Sequence, residues 1–267
     1  MGKSILVTGG TGTLGRVVVE RLGAAGLEPR VMSRRPRPDG DTTPGEWVVA
    51  DLKTGSGLDE AVTGADVILH CANDSRSSGD DPLAVTGKLV DAARRAGSPH
   101  LVYISIVGID KIPVGYYRAK LADERLIRDS GLPYTILRAT QFHDLVRVIF
   151  AGAAKLPLMF VPAVSFQTVD VHDVADRLIE LATAEPTGTT LDMGGPRVRT
   201  ARDMARGYLR STGRHRLVVP VRLPGKIFRA LKRGAGTTPE NATGTITFEQ
   251  YLADHPAASA VSYRSGK

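Results

Sequence analysis

The chain has a single cysteine, Cys71, among 267 residues. That excludes an internal disulfide framework and any cysteine-based zinc site. No apolar run approaches the ~20 residues that a membrane-spanning helix needs. Aromatic residues make up only 5% of the chain. No stacking platform and no helix-turn-helix signature is present, so nucleic acid is not an expected partner. Neither a His-x-x-x-His pair nor a carboxylate cluster has metal-ligand spacing, so no metal is expected. Acidic residues are almost missing from one stretch. Between Arg197 and Arg233 there are twelve Lys and Arg residues and one acid, Asp203. Much of the net charge of +7 therefore lies in the C-terminal third. Such a stretch is a solvated surface, a site for an acidic or phosphorylated partner, or a nucleic-acid or membrane contact. The N-terminus runs directly into a strand pattern with no leader-like charged and apolar regions, so a soluble cytoplasmic protein is expected.

Glycine, in contrast, is plentiful and concentrated where it carries chemistry. The apolar run Ile5-Leu6-Val7 leads into Thr8-Gly9-Gly10-Thr11-Gly12-Thr13-Leu14-Gly15, and a helical pattern follows through Val17, Val18, Val19 and Leu22. The turn fits both G-x-G-x-x-G and T-G-x-x-G-x-x-G. Between a strand and a helix, these spacings mark a dinucleotide-binding turn, with free helix-start N–H groups facing the pyrophosphate. A second strand over Glu28 to Met32 should end where the ribose is recognised. It ends in Ser33-Arg34-Arg35 and offers no carboxylate. Guanidinium forks match phosphate oxygens, so the expected cofactor is NADP(H).

Strand and helix patterns continue to alternate. Strands are expected at Trp47–Ala50, Asp66–His70, His100–Ser105 and Tyr134–Leu137. Helices are expected at Leu58–Thr63, Pro82–Ala96 and Tyr116–Ser130, with stops at Gly64, Gly97 and Gly131. This alternation predicts an α/β fold: a Rossmann-type doubly wound parallel sheet with a small C-terminal substrate region. The whole chain, 1–267, is read as one unit. Residues 1–140 form mainly the nucleotide core, and 141–165 with 186–267 mainly the substrate or lid region. Ligands lie at strand carboxyl ends in such sheets. That adds Asp51, Leu52, Cys71, Ala72 and Asn73 to the cofactor candidates.

Tyr116 and Lys120 are four residues apart and share one helix face. A lysine ammonium favours the phenolate and lowers the tyrosine pKa. The pair can then move a proton at a carbonyl or carbinol oxygen, with Ser105 as a second hydrogen-bond donor and Lys120 also as ribose anchor. Gln141, Phe142 and His143 follow a cleft strand and are candidate substrate contacts, although His143 also reads as a polar helix-start residue. Met159 and Phe160 are either pocket wall or core filler. Asp170 reads as a helix cap beside His172. Thr247 and Gln250 read as a capping pair. Gly234 to Asn241 reads as a flexible linker that gates the cleft.

These motifs, with Leu101-Val102-Tyr103-Ile104-Ser105, Glu124, Ser130-Gly131-Leu132-Pro133-Tyr134-Thr135-Ile136-Leu137-Arg138 and Val169-Asp170-Val171-His172-Asp173-Val174-Ala175, resemble a particular family. It is the atypical short-chain dehydrogenase/reductase group that includes NmrA-like and isoflavone-reductase-like NAD(P)-binding proteins. The resemblance implies an NADP(H)-dependent oxidoreductase. Its expected substrate is a small, largely apolar or aromatic molecule bearing a carbonyl, enone or quinone, with or without an anionic group. Two departures are visible. The interval from Ser105 to Tyr116 is shorter than in classical members, and the helix from Pro82 has no asparagine. Some members of the group sense nucleotide without turnover and bind other proteins, so such a regulator is the alternative.

Overall fold

The computed structural model describes residues 2–72 and 82–255. Seven strands form one parallel sheet: β1 (Ile5–Thr8), β2 (Arg30–Ser33), β3 (Glu46–Val49), β4 (Val67–His70), β5 (His100–Ile106), β6 (Tyr134–Ala139) and β9 (Thr190–Met193). Their spatial order is β3-β2-β1-β4-β5-β6-β9. Strand order reverses between β1 and β4, and the crevice outside the carboxyl ends of a doubly wound sheet opens at such a switch point. The glycine turn leaves β1 at that point, and Cys71 and Ala72 leave β4 beside it.

Both faces of the sheet are covered, which is why its strands read as unbroken apolar runs. Helix α1 (Thr13–Ala24) presents Leu14, Val18, Val19 and Leu22 to one face. There α6 (Val171–Thr183) adds Val174, Ala175 and Leu178. The other face is packed by α2 (Leu58–Val62), α3 (Pro82–Arg95) and α4 (Gly115–Asp129), through Leu58, Ala61, Leu89, Ala93 and Ile127. The predicted stops hold: Gly64, Gly97 and Gly131 all adopt positive φ, of 73°, 97° and 77°.

A smaller apolar cluster gathers α5 (His143–Ala153), β7 (Leu158–Pro162), α7 (Ala201–Ser211), β11 (Leu217–Val221) and α9 (Phe248–Asp254). Strands β7 and β11 pair in parallel, while β8 (Ser165–Phe166) and β10 (Arg199–Thr200) pair antiparallel. Helix α8 (Lys226–Lys232) precedes a strap that returns to the main sheet. The strap is anchored at several points, unlike the gate expected from its composition. Gln167 donates to Gly195 O and accepts from Thr238 N at 2.7 Å. Gly194 N donates to Asn241 O, and Gly244 N to Gly194 O. A linker composition at Gly234–Asn241 therefore hides a docked segment.

Candidate active site

The cradle at the end of β1 depends on missing side chains. Gly9 has φ of 68°, and a Cβ there would lie 2.6 Å from the Ala72 backbone at the end of β4. A Cβ on Gly15 would meet Gly9 O at 2.2 Å. A side chain at Gly9 would force the ends of β1 and β4 apart, and one at Gly15 would push α1 off the turn. Gly12 is the N-cap of α1, with no side-chain cap and no acid in the first turn. The helix-start N–H groups near Thr13 and Leu14 thus suit an anion. Thr8 secures the turn from below. Its Oγ1 lies 2.7 Å from His70 Nδ1 and accepts from Ala72 N at 3.4 Å. Burial pushes the His70 imidazole down to about 3, so it is neutral.

The end of β2 lies on the other side of the cradle. Ser33 Oγ accepts Arg35 N at 3.2 Å, and Arg35 O accepts Trp47 Nε1 at 2.8 Å. The side chains of Arg34 and Arg35 are exposed there. Arg16, in the first turn of α1, faces the loop that follows β2, where its charge helps lower the Asp41 carboxyl after hydrogen bonds from Thr43. No sequence spacing pointed to Arg16. Asp51 Oδ1 accepts Lys53 N, closing the turn after β3, and Leu52 packs on the cluster around Leu58. The Cys71 thiol is pushed up to about 12 by burial and stays protonated. Asn73 lies outside the described residues.

Tyr116 and Lys120 both lie on α4, as their spacing predicts. Tyr116 is half-buried, with its ring 6.1 Å from that of Tyr117. Lys120 is buried. Its Nζ donates to Ile104 O at 3.0 Å and lies 4.2 Å from the centre of the Tyr103 ring. Desolvation holds the ammonium down to about 8, with Asp123, Glu124 and Cys71 pulling the other way. Tyr103 stacks on His70 at 5.3 Å and donates to Asp123 Oδ2 at 3.0 Å. Its phenol is held well above the usual range by burial first and the Asp123 carboxylate next, with Tyr116 adding a smaller push. A buried polar chain therefore runs from the cradle through Thr8, His70 and Tyr103 to Lys120 and Asp123. Tyr103 and Asp123 were not legible as site residues. Tyr103 reads as strand core, and Asp123 as an ordinary helix acid.

Several expectations need correction. Ser105 does not face the crevice. Its Oγ donates to Glu124 Oε1 at 2.6 Å, inside a network in which the fully buried Glu124 also accepts from Arg138 at 2.8 and 2.7 Å and from Arg128 at 2.9 Å. A strand-end serine is turned away by the strongest acceptor nearby. His143 is fully buried. Its Nδ1 lies 2.8 Å from Thr168 Oγ1 and its Nε2 3.0 Å from Ile246 O, with Phe248 and Tyr251 against the ring. It ties α5 to α9 and has no face for a ligand. Met159 is likewise fully buried in the small cluster, whereas Phe160, on the opposite face of β7, is 50% exposed. One is core and the other surface, so the two cannot line one pocket wall. Phe142 packs partly against the main core. Gln141 stays in the reading. It hydrogen-bonds the Tyr117 hydroxyl, and its Oε1 is buried without a partner among the described residues.

A glycine cradle at the switch point of a parallel sheet, with a Tyr-x-x-x-Lys helix beside it, defines a dinucleotide-binding protein of the short-chain dehydrogenase/reductase type. The family model for NAD(P)H-binding proteins matches residues 9–185, and the chain belongs to that family. It is 31% identical over 223 residues to (4-alkanoyl-5-oxo-2,5-dihydrofuran-3-yl)methyl phosphate reductase of Streptomyces griseus, covering 79% of this chain and 74% of that protein. It spans about half the length of two further curated relatives, 53% and 46%. Among solved structures, the NADPH-dependent quinone oxidoreductase of Escherichia coli complexed with NADPH superposes with a TM-score of 0.81. That match covers 94% of this chain and 99% of that one, at 18% identity. The Citrobacter sp. triphenylmethane reductase complexed with NADP(H) gives 0.76 over 92% and 98%, at 20% identity. At these identities both likenesses establish a shared fold. The atypical group suggested by the motifs and the Rossmann-type fold are thus both borne out.

Proposed function

We propose that the protein is an NADP(H)-dependent reductase. Its substrate is a small, largely apolar molecule carrying a carbonyl, an enone or a quinone. The observation that carries the reading is the placement of Tyr116 and Lys120 on the helix beside the Gly9–Gly15 cradle, linked to it by the buried chain through Tyr103 and His70. The residues fit the nucleotide. The glycines keep the turn tight against the end of β4 and the start of α1, and Ser33, Arg34 and Arg35 offer a hydroxyl and two guanidiniums to a 2′-phosphate. When bound, the reduced nicotinamide supplies a hydride.

The chain's own residues supply the proton and the orientation. Tyr116 donates a proton to the substrate oxygen. Lys120 anchors ribose hydroxyls and favours the tyrosinate after transfer. Ser105 has no part in this, because its proton is committed to Glu124. Gln141 and Tyr117 supply the polar edge of the substrate region. The reading draws support from the reductase relative in Streptomyces griseus, whose phosphate-bearing substrate also suits a basic chain.

The test follows the absorbance of reduced nicotinamide with NADPH and a panel of quinones, enones and aromatic ketones. Consumption above the rate without protein is expected. Tyr116→Phe should then lower turnover by about 10²-fold or more, with nucleotide affinity unchanged. Unchanged turnover in that variant removes Tyr116 from the mechanism. The regulator reading gains instead if no panel member is reduced and a protein partner binds differently with NADP⁺ and with NADPH.

A further inference from the structure

The site contains a buried acid that the proposed reaction does not use. Asp123 lies one turn beyond Lys120 on α4, with 9% of its surface exposed. Its Oδ2 accepts from Tyr103 at 3.0 Å, and its Oδ1 has no hydrogen-bond partner among the described residues. Lys120 is buried to a similar degree, at 6%. Among the described residues it makes one hydrogen bond, to a neutral carbonyl, and no ion pair within 4 Å. A buried ammonium without a direct partner is costly, so a nearby opposite charge decides its state. The groups that face it can be named. On α4 they are Asp123 and Glu124, on β5 Tyr103, and at the end of β4 His70 and Cys71. His70, Cys71 and Tyr103 are all neutral near pH 8. Glu124 is already matched by Arg138 and Arg128. Asp123 is the remaining acid; burial pushes its carboxyl up, while Thr86, Lys120 and the Tyr103 hydroxyl pull it back toward the charged form. Tyr103 is the wedge between it and the lysine, hydrogen-bonded to one and under the other.

We infer that Asp123 is a positioning residue. Acting with Tyr103, it holds Lys120 charged and in place beneath the nucleotide crevice. This rests on the reading of Lys120 as part of the nucleotide site. The lysine is desolvated by the same packing that positions it. Without Asp123 it would release its proton at a lower pH, and the anchor would be lost in the neutral range.

The experiment has two independent readouts on the full chain. Lysine labelled with ¹³C at Cε is titrated by NMR, which reads Lys120 directly without nucleotide. NADPH affinity is measured by calorimetry at pH 6 and pH 8. In Asp123→Asn, the Lys120 midpoint should fall by about one pH unit. NADPH affinity should drop about fivefold at pH 8 and stay within about twofold at pH 6. Tyr103→Phe should move the midpoint in the same direction by a smaller amount, and Asp123→Glu should restore it. Tyr103→Phe keeps the test open if Asp123→Asn does not fold. An unmoved Lys120 midpoint, or an affinity loss equal at both pH values, overturns the inference and leaves Asp123 a packing residue. Lys120→Gln separates the two readings. If that variant binds NADPH normally at every pH, the anchor role fails, and the lysine titration alone then decides what Asp123 does.

Discussion

Replacing Glu124 with Gln should destabilise the protein severely while leaving nucleotide binding intact. Glu124 is fully buried and joins three elements: Ser105 on β5, Arg138 on β6 and Arg128 one turn on along α4. The amide would keep one acceptor oxygen and place an N–H₂ group against a guanidinium. Arg138, with 14% of its side chain exposed, would lose its two bonds to the buried carboxylate and keep only a 3.5 Å pair to the part-exposed Asp110. Breaking a buried pair by removing one member costs about 3–5 kcal/mol, because the other charge stays buried. Arg128 is 36% exposed and adds little. The expected loss is therefore about 4 kcal/mol, a large share of the ~5–15 kcal/mol that holds a typical domain together. At about 2–4 °C per kcal/mol for a chain near this size, the melting temperature should drop by roughly 10 °C. Urea unfolding monitored by circular dichroism reads the loss. Ser105→Ala is the companion measurement. It removes one charge-assisted bond worth about 1.5–3 kcal/mol and should leave turnover within about twofold. A Glu124→Gln loss below about 1 kcal/mol would refute the assignment of this network as the tie between β5, β6 and α4. A large drop in turnover in Ser105→Ala would show that the serine does reach substrate.

Replacing Arg34 and Arg35 together with Ala should collapse a preference for NADP(H) over NAD(H) of about 10- to 1,000-fold, at ~1.4 kcal/mol per tenfold for one or two charge-assisted bonds, with NAD(H) affinity nearly unchanged. Calorimetric titration of both nucleotides decides it, and equal affinities in the unmutated protein would show that these arginines do not meet the ribose. His70 should make the fold acid-sensitive. Its folded pKa of about 3 lies below the ordinary imidazole value of 6.5, so the unfolded chain takes up a proton between these values and the folded chain does not. Stability is therefore full above about 6.5 and falls with pH below it, by about 2 kcal/mol at pH 5 for this group. Denaturant midpoints at pH 7.5 and pH 5 test this, and His70→Asn should flatten the slope. His143→Ala should cost about 2–4 kcal/mol of stability through two lost hydrogen bonds and a cavity among Phe248 and Tyr251, without raising KM. A raised KM would return His143 to the substrate site.

What the sequence revealed depended on how local each signal was. The β1 turn and α1 are written in consecutive residues, and so are the caps. Asp170 accepts from His172 N at 2.9 Å, and Thr247 with Gln250 closes a capping box. Strand β9 went unread because Thr190–Met193 is short, and its meaning comes from pairing with β6, more than fifty residues earlier. Ser105 was misread for a related reason. A strand-end serine points wherever its best acceptor lies, and that acceptor, Glu124, is on another element. His143 looked available because it follows a strand that ends at the cleft, yet its partners arrive from Thr168 and Ile246. The glycine turn was therefore readable from short spacings, and the buried contacts joining Tyr103 to Asp123 and Lys120 were not.

The anchored strap has a consequence for how the site is assembled during synthesis. Once Met193 has been made, every strand of the main sheet exists, along with the glycine cradle and the helix that carries Tyr116 and Lys120. The segment that closes over Gly194 and Gln167 is translated some forty residues later. A growing chain thus holds the glycine cradle and the helix of Tyr116 and Lys120 before the strap that docks on Gly194 and Gln167. Changes after residue 193 thus leave every strand of the main sheet and its glycine cradle unaltered.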